Sequence, residues 1–206
     1  PTPTVGVVGL RTGMGEDAIN PSSGFLAAGH TVALIGAPAG ETLGGSEWLF
    51  SQHGLTAGRP PQCDLAAEKA TSDAVRGLVS GDVVASAHDL SDGGLLVAIA
   101  ESAACHYGQR FGANLDLEAV LAATGEDLTT AAFGEAGARV LVSYDPTRQD
   151  EVAAACVAAG TPLAVLGSTQ AGALTIRAAG SVFSYGLDDL FGAWDGGLEA
   201  HVGVTV

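Results

Sequence analysis

The sequence predicts an α/β domain of about seven strands and five or six helices, with strands running in both directions. Three observations lead there. Short β-rich runs alternate with Ala-rich helical segments along all 206 residues. Both a hairpin-like connection and helical crossovers join the runs, which requires mixed strand directions. No linker, charge block or internal repeat divides the chain, so one domain covers residues 1–206.

The elements follow in order. Val5 to Leu10 and Thr31 to Gly36 read as strands bounded by Gly or Pro, with a turn over Gly24 to Gly29 before the second. Pro38 to Gly40 break that strand, and Gly44-Gly45-Ser46 opens a short helix ending near His53. Asp64 is an N-cap for a helix through Leu65, Glu68, Val75 and Leu78 that stops at Gly81. Val83 to Ala87 reads as a buried strand, and Asp89 to Gly94 turns it into a helix over Leu95 to Cys105. Ala113 to Leu117 alternates like a half-buried strand, and Arg139 to Ser143 resembles a central one. Thr147 to Asp150 has the form of a capping box and starts a helix that Gly160 ends. Leu163 to Leu166 and Ala173 to Ile176 flank a Gly-bearing turn and predict a hairpin. Leu187, Leu190, Phe191, Trp194 and Leu198 recur at helical spacing, a stripe that predicts core packing.

Composition narrows the function classes. Eight basic residues against 23 acidic ones give a net charge of −15 and a pI near 4.3. Such a field repels phosphate backbones, which argues against nucleic-acid binding as the main activity. No apolar run reaches the length of a membrane helix, and no leader is evident. Cys63, Cys105 and Cys156 are odd in number and lack metal-ligand spacing, which favours free thiols in a reducing cytoplasm. The chain opens Pro1-Thr2-Pro3 and its single methionine is Met14, as in a piece of a longer protein.

Two loops carry candidate chemistry. In Ser86 to Leu95 a strand gives way to a helix, where α/β sheets tend to bind ligands. Ser91 and Asp92 are candidate N-caps, Gly93 and Gly94 permit close approach, and Asp89 and Asp92 repel a bare phosphate. The loop therefore suits ribose hydroxyls, amides or amines, or a phosphate reached through magnesium; a plain capped helix is the simpler reading. His88 reads as a satisfied hydrogen-bonding residue. Around Glu41 to Leu49, Gly44-Gly45-Ser46 resembles an anion nest at a helix start, without the lysine of a P-loop. Trp48 there reads as packing. In Phe133 to Arg139, the four-residue spacing of Glu135 and Arg139 allows a pair at the start of a strand.

These pieces, with Thr4 to Leu10 before them and Asp188 to Trp194 after them, occur in the order seen in one family. The chain resembles the last domain of the phosphoribosylformylglycinamidine synthases, and the His-Asp-Leu-Ser-Asp-Gly-Gly-Leu run is its most specific piece. The wider superfamily includes aminoimidazole ribonucleotide synthetase, selenophosphate synthetase, thiamine-phosphate kinase and a hydrogenase maturation protein. The resemblance implies a three-layer α/β/α fold, partly ferredoxin-like, placed after an N-terminal ATP-binding domain. It also implies an ATP-dependent carbon–nitrogen ligase of purine biosynthesis. In that reaction an amide oxygen of formylglycinamide ribonucleotide is phosphorylated, and ammonia from a glutaminase subunit or domain displaces the phosphate to form the amidine. ATP and magnesium are then held mainly by the preceding domains. No catalytic residue or metal ligand is assigned here, and the isolated piece is expected to be inactive and to self-associate through apolar surface. The residues expected to face substrate or nucleotide are Gly44, Gly45, Ser46, Asp89, Ser91, Asp92, Gly93, Gly94 and Glu135. Where the family's first C-terminal copy has a substrate-contacting Glu-Ser-Gln, this chain has Glu135-Ala136-Gly137, losing two polar side chains, which favours a pseudo-site holding a structural nucleotide or nothing over ribonucleotide contact at Glu135. Another member of the superfamily, or a free-standing phosphometabolite-binding or assembly module, are the alternatives.

Overall fold

The structure, a computed structural model, describes residues 21–37, 42–118, 120–121, 125 and 127–202, with side chains through residue 197. The run Thr4 to Leu10, with its expected strand Val5 to Leu10, lies outside the described residues. The strands are β1 (Thr31–Gly36), β2 (Ser86–Asp89), β3 (Gly112–Asp116), β4 (Arg139–Tyr144), β5 (Leu163–Gln170), β6 (Leu174–Ala178) and β7 (Ser181–Tyr185). They form one mixed sheet in the order β2-β4-β1-β5-β3-β6-β7, antiparallel throughout except for the parallel pair β3 and β6. The helices are α1 (Glu47–His53), α2 (Leu65–Ser80), α3 (Gly94–Ala104), α4 (Leu128–Phe133), α5 (Gln149–Ala159) and α6 (Leu187–Val202).

Alternation along the central strand β1 divides the core. Val32 and Leu34 pack with Leu95, Ile99, Leu115 and Leu141 on the face that α3, α4 and α6 cover. Ala33 and Ile35 point the other way, into a cluster with Leu78, Val142, Tyr144 and Val152 under α2 and α5. All four β1 side chains are fully buried, so a strand that is apolar on both faces is required. The result is the expected three-layer α/β/α arrangement on a mixed sheet.

Several boundaries depart from the sequence reading. The strand expected at Val83 to Ala87 begins three residues later. The Val83 amide donates back to the Leu78 carbonyl and Asp82 takes a positive φ of 53°, so the end of α2 consumes the first apolar residues. The expected hairpin is split, because β3 inserts between β5 and β6. The link between those strands passes over Gly112, where a Cβ would stand 2.1 Å from the Ala173 carbonyl oxygen. Thr147 is not a helix cap. Its hydroxyl donates to Asp145, which caps a 3-10 turn (Pro146–Arg148) running into α5. The aromatic stripe is only partly core. Leu187 and Leu190 pack inward, whereas Phe191 and Trp194 meet Tyr107 at the surface and Arg110 lies 4.2 Å over the Phe191 ring.

The helix α4, absent from the sequence reading, leads directly to Glu135. Its N-cap Asp127 accepts from the amides of Thr129 and Thr130 and from the Thr130 hydroxyl. These bonds, the Thr130 amide foremost, hold the Asp127 carboxyl below its ordinary value of 3.8. A folded-state pKa below the unfolded one adds stability that is present above the unfolded value and lost as pH falls through the folded one. Asp127→Ala is therefore expected to cost about 1 kcal/mol at neutral pH, in the usual range for a lost cap, and less as pH drops below that window. Denaturant midpoints of both proteins measured across pH 2–7 (about the span of a carboxylate titration) check this; a difference that does not change with pH would contradict it.

Candidate functional site

Three segments from distant parts of the chain meet at one corner of the sheet. The first is the start of α1. Ser46 is buried and caps it: its hydroxyl donates to the Leu43 carbonyl (2.7 Å) and accepts from the Leu49 amide (3.2 Å). Gly44 and Gly45 form the preceding turn, with the Gly44 amide on the Thr42 hydroxyl and the Gly45 amide on the Ala57 carbonyl. Trp48 stacks on Phe133 at 6.3 Å, the packing role expected of it.

The second segment is the start of α3. Its N-cap is Gly93, with a left-handed backbone and no side-chain cap of its own helix. The expectation that Ser91 or Asp92 caps α3 is thus corrected. Gly93 and Gly94 both have positive φ (80° and 68°), which turns Ser91 and Asp92 outward to exposed positions. His88 is satisfied, with Nδ1 on the Asp89 carbonyl (2.7 Å) and Nε2 3.3 Å from the Glu101 carboxylate.

The third segment supplies the missing cap. Glu135 follows α4, and its Oε1 accepts both the Glu47 amide and the Gly93 amide, each at 2.8 Å. One carboxylate oxygen therefore joins the N-terminal ends of α1 and α3, where the helix dipoles favour negative charge. The anion at these two helix starts is the chain's own, held by the Glu47 and Gly93 amides rather than by those of Gly44 and Gly45. Arg139 does not direct its donors as the spacing suggested: its Nη1 donates to the Gly134 carbonyl (3.0 Å) and its Nε to the Ala37 carbonyl (3.1 Å).

Two hollows open on either side of Glu135. One, of about 310 Å³, is lined by Gly45, Ser46, Glu47, Phe50, Asp92 and Glu135, among others. The other, of about 300 Å³, is lined by Ser91, Asp92, Glu135, Glu68, Gln62 and Cys63, among others. Asp92 and Glu135 face both. The structure thus brings Gly45, Ser46, Ser91, Asp92, Gly93 and Glu135 to one place. Gly44 and Gly94 shape its backbone, and exposed Asp89 stands at the end of β2 outside both linings. Glu68, Gln62 and Cys63 were not among the site residues expected from the sequence. Glu68 reaches the site over Gly137, where a Cβ would stand 1.8 Å from its carboxylate.

This donor set can be matched to ligands. A phosphate would need the Glu47 and Gly93 amides, which Glu135 already uses, and would meet the Asp92 carboxylate. Bare phosphate does not fit. Among the described residues no group of three or more His, Cys, Asp or Glu side chains is placed to hold a metal ion. The corner is rich in acceptors and suits hydroxyl, amide or amine donors. The three cysteines are free; Cys156 is buried, and burial with the Glu101 charge nearby pushes the Cys105 thiol up to about 11. No helix among the described residues is long and apolar enough to cross a membrane.

Residues 27–178 match the family model described as AIR synthase related protein, C-terminal domain. Among curated relatives, the phosphoribosylformylglycinamidine synthase subunit PurL of Thermus thermophilus is 37% identical over 199 residues, covering 97% of this chain and 25% of the relative. The same subunit of Anaeromyxobacter dehalogenans is 40% identical over 205 residues, covering 97% and 26%. The chain thus spans about a quarter of the length of these relatives. A solved structure of Thermotoga maritima PurL complexed with FGAR shares the fold, with a TM-score of 0.68 at 18% identity over 84% of this chain and 29% of that one. E. coli HypE, a hydrogenase maturation protein, aligns with a TM-score of 0.53 at 15% identity over 82% of this chain and 52% of its own. Match and fold agree: the chain belongs to the AIR synthase related protein family, as its C-terminal domain.

Proposed function

We propose that this chain is the C-terminal domain of a phosphoribosylformylglycinamidine synthase large subunit and forms one wall of its ligand crevice. Supporting this are the identities of 37–40% with PurL subunits over nearly the whole chain. The observation that carries the crevice itself is the single Glu135 oxygen bridging the starts of α1 and α3 between two hollows.

In this reading the whole protein converts formylglycinamide ribonucleotide to its amidine. The amide oxygen takes the terminal phosphoryl group of ATP, ammonia adds at the amide carbon, and the oxygen leaves as inorganic phosphate. ATP with its magnesium lies on the N-terminal domains, which fits the acceptor-rich corner described here. Related PurL structures are solved with ATP and with ADP, and a PurLQS assembly is known from Thermotoga maritima. Ammonia comes from a glutaminase subunit or domain, and the enzyme works in the cytoplasm. This chain contributes no reacting group. Glu135 and Asp92 present carboxylate oxygens that accept from hydroxyl or amide donors of the ribonucleotide and exclude a misplaced phosphate by charge. Val182, Phe183 and Tyr185 on the edge strand β7 are exposed and offer an apolar surface to the neighbouring domains, or to a second copy when they are absent.

The test is amidine formation by the full-length protein with ATP, magnesium, ammonia and the ribonucleotide, beside the 206-residue chain alone. Turnover by the former and none by the latter is expected. Turnover by the chain alone, or a full-length protein that consumes a different acceptor, would overturn the assignment.

A further inference from the structure

Arg139 is the largest fully buried side chain among the described residues, 2% exposed. A buried guanidinium is costly unless its donors are used, and its burial pulls the pKa down to about 10, still charged at neutral pH. Two of its bonds go to backbone carbonyls at the ends of different segments, Ala37 just after β1 and Gly134 just before Glu135. The same segment is held at its far end, where the Thr71 hydroxyl donates to the Ala138 carbonyl and pairs with buried Thr161. Between these anchors Glu135 is held in reach of amides that belong to neither segment.

We propose that Arg139 is a positioning residue of the crevice. By gripping the Gly134 and Ala37 carbonyls, it fixes the loop that delivers Glu135 Oε1 to the Glu47 and Gly93 amides. A planar fork with donors in two directions can hold both carbonyls at once; an ammonium on a flexible stem holds one firmly. Arg139 is not among the residues that line either hollow, so toward the crevice it acts through the loop that carries Glu135. Its functional consequence rests on the crevice reading above; the positioning itself does not.

Amide hydrogen exchange in the 206-residue chain separates the two. With Arg139→Met, the Glu47 and Gly93 amides should lose protection together, by about 10-fold or more, as expected when a charge-assisted hydrogen bond is released. The Leu34 and Val142 amides, mid-strand in the β1–β4 pair, should keep theirs. Arg139→Lys should fall between the wild type and Arg139→Met, and it serves if the methionine variant does not fold. Unchanged protection at Glu47 and Gly93 in a folded variant would overturn the proposal, and so would equal loss throughout the sheet, which marks a merely structural arginine. In the full-length synthase the crevice reading adds a rise in KM for the ribonucleotide that exceeds any fall in kcat. Lost protection with an unchanged KM would leave the positioning role standing and sink the crevice reading instead.

Discussion

Glu135→Ala is expected to lower amidine formation by the full-length synthase by about 100-fold, the scale on which a ligand misplaced by an ångström loses rate. The cause is geometric. Oε1 ties α1 to α3, and its loss releases both helix starts, along with the loops that carry Ser46 and Asp92. Stability should suffer far less than activity. Glu135 is only half-buried, so water can reach the two freed amides, and the net cost should be about 1 kcal/mol. Glu135→Gln divides the effect further. Its side-chain oxygen can still accept from both amides, so the fold and the helix starts should persist. The second oxygen becomes an amide donor, which removes the acceptor proposed above for donors of the ribonucleotide. A glutamine variant with intact stability and raised KM is therefore the expected result. If the alanine and glutamine variants both turn over at the wild-type rate, Glu135 is a helix tie and no more.

That carboxylate also shows what the sequence could and could not convey. The strand β1 was legible to the residue, because Val32-Ala33-Leu34-Ile35 must be apolar on both faces and glycine closes it. The helix α2 was legible from its cap: Asp64 accepts from the Ala66 and Ala67 amides as its position before Leu65 requires. Local chemistry announces itself locally. The split hairpin did not, since the insertion of β3 between β5 and β6 depends on pairing across the sheet, and Gly112 alone hints at the crossing. The edge strand β7, whose side chains are all exposed, lacked the buried alternation by which strands are recognised. At the site the loops themselves were legible, but the direction of their hydrogen bonds was not. Ser91 and Asp92 have the chemistry of caps, yet α3 is capped from another loop by Glu135, far along the chain. Spacing suggested an ion pair between Glu135 and Arg139, whereas in the fold Glu135 accepts from the Glu47 and Gly93 amides and Arg139 donates to the Ala37 and Gly134 carbonyls.

The second large effect is expected at Gly36, the last residue of β1, and it tests the same loop from beneath. A Cβ there would stand 1.8 Å from the Ala138 carbonyl oxygen, and the backbone has a φ of 108° that side chains avoid. Gly36→Ala should cost about 3 kcal/mol or more, adding backbone strain to a collision with main chain that no rotamer change relieves. Gly29→Ala provides the control. Its φ is 86° but nothing lies within 4 Å of the added atom, so only the conformational cost applies, about 1–2 kcal/mol. The difference between the two denaturant midpoints isolates the collision. Because Ala138 can yield only by shifting the segment that carries Glu135, the Gly36 variant should also lose exchange protection at Glu47 and Gly93, while the Gly29 variant keeps it. Equal midpoints for the two alanine variants would show that residues 134–138 give way freely, and a loop that gives way could not hold one carboxylate oxygen at two helix starts.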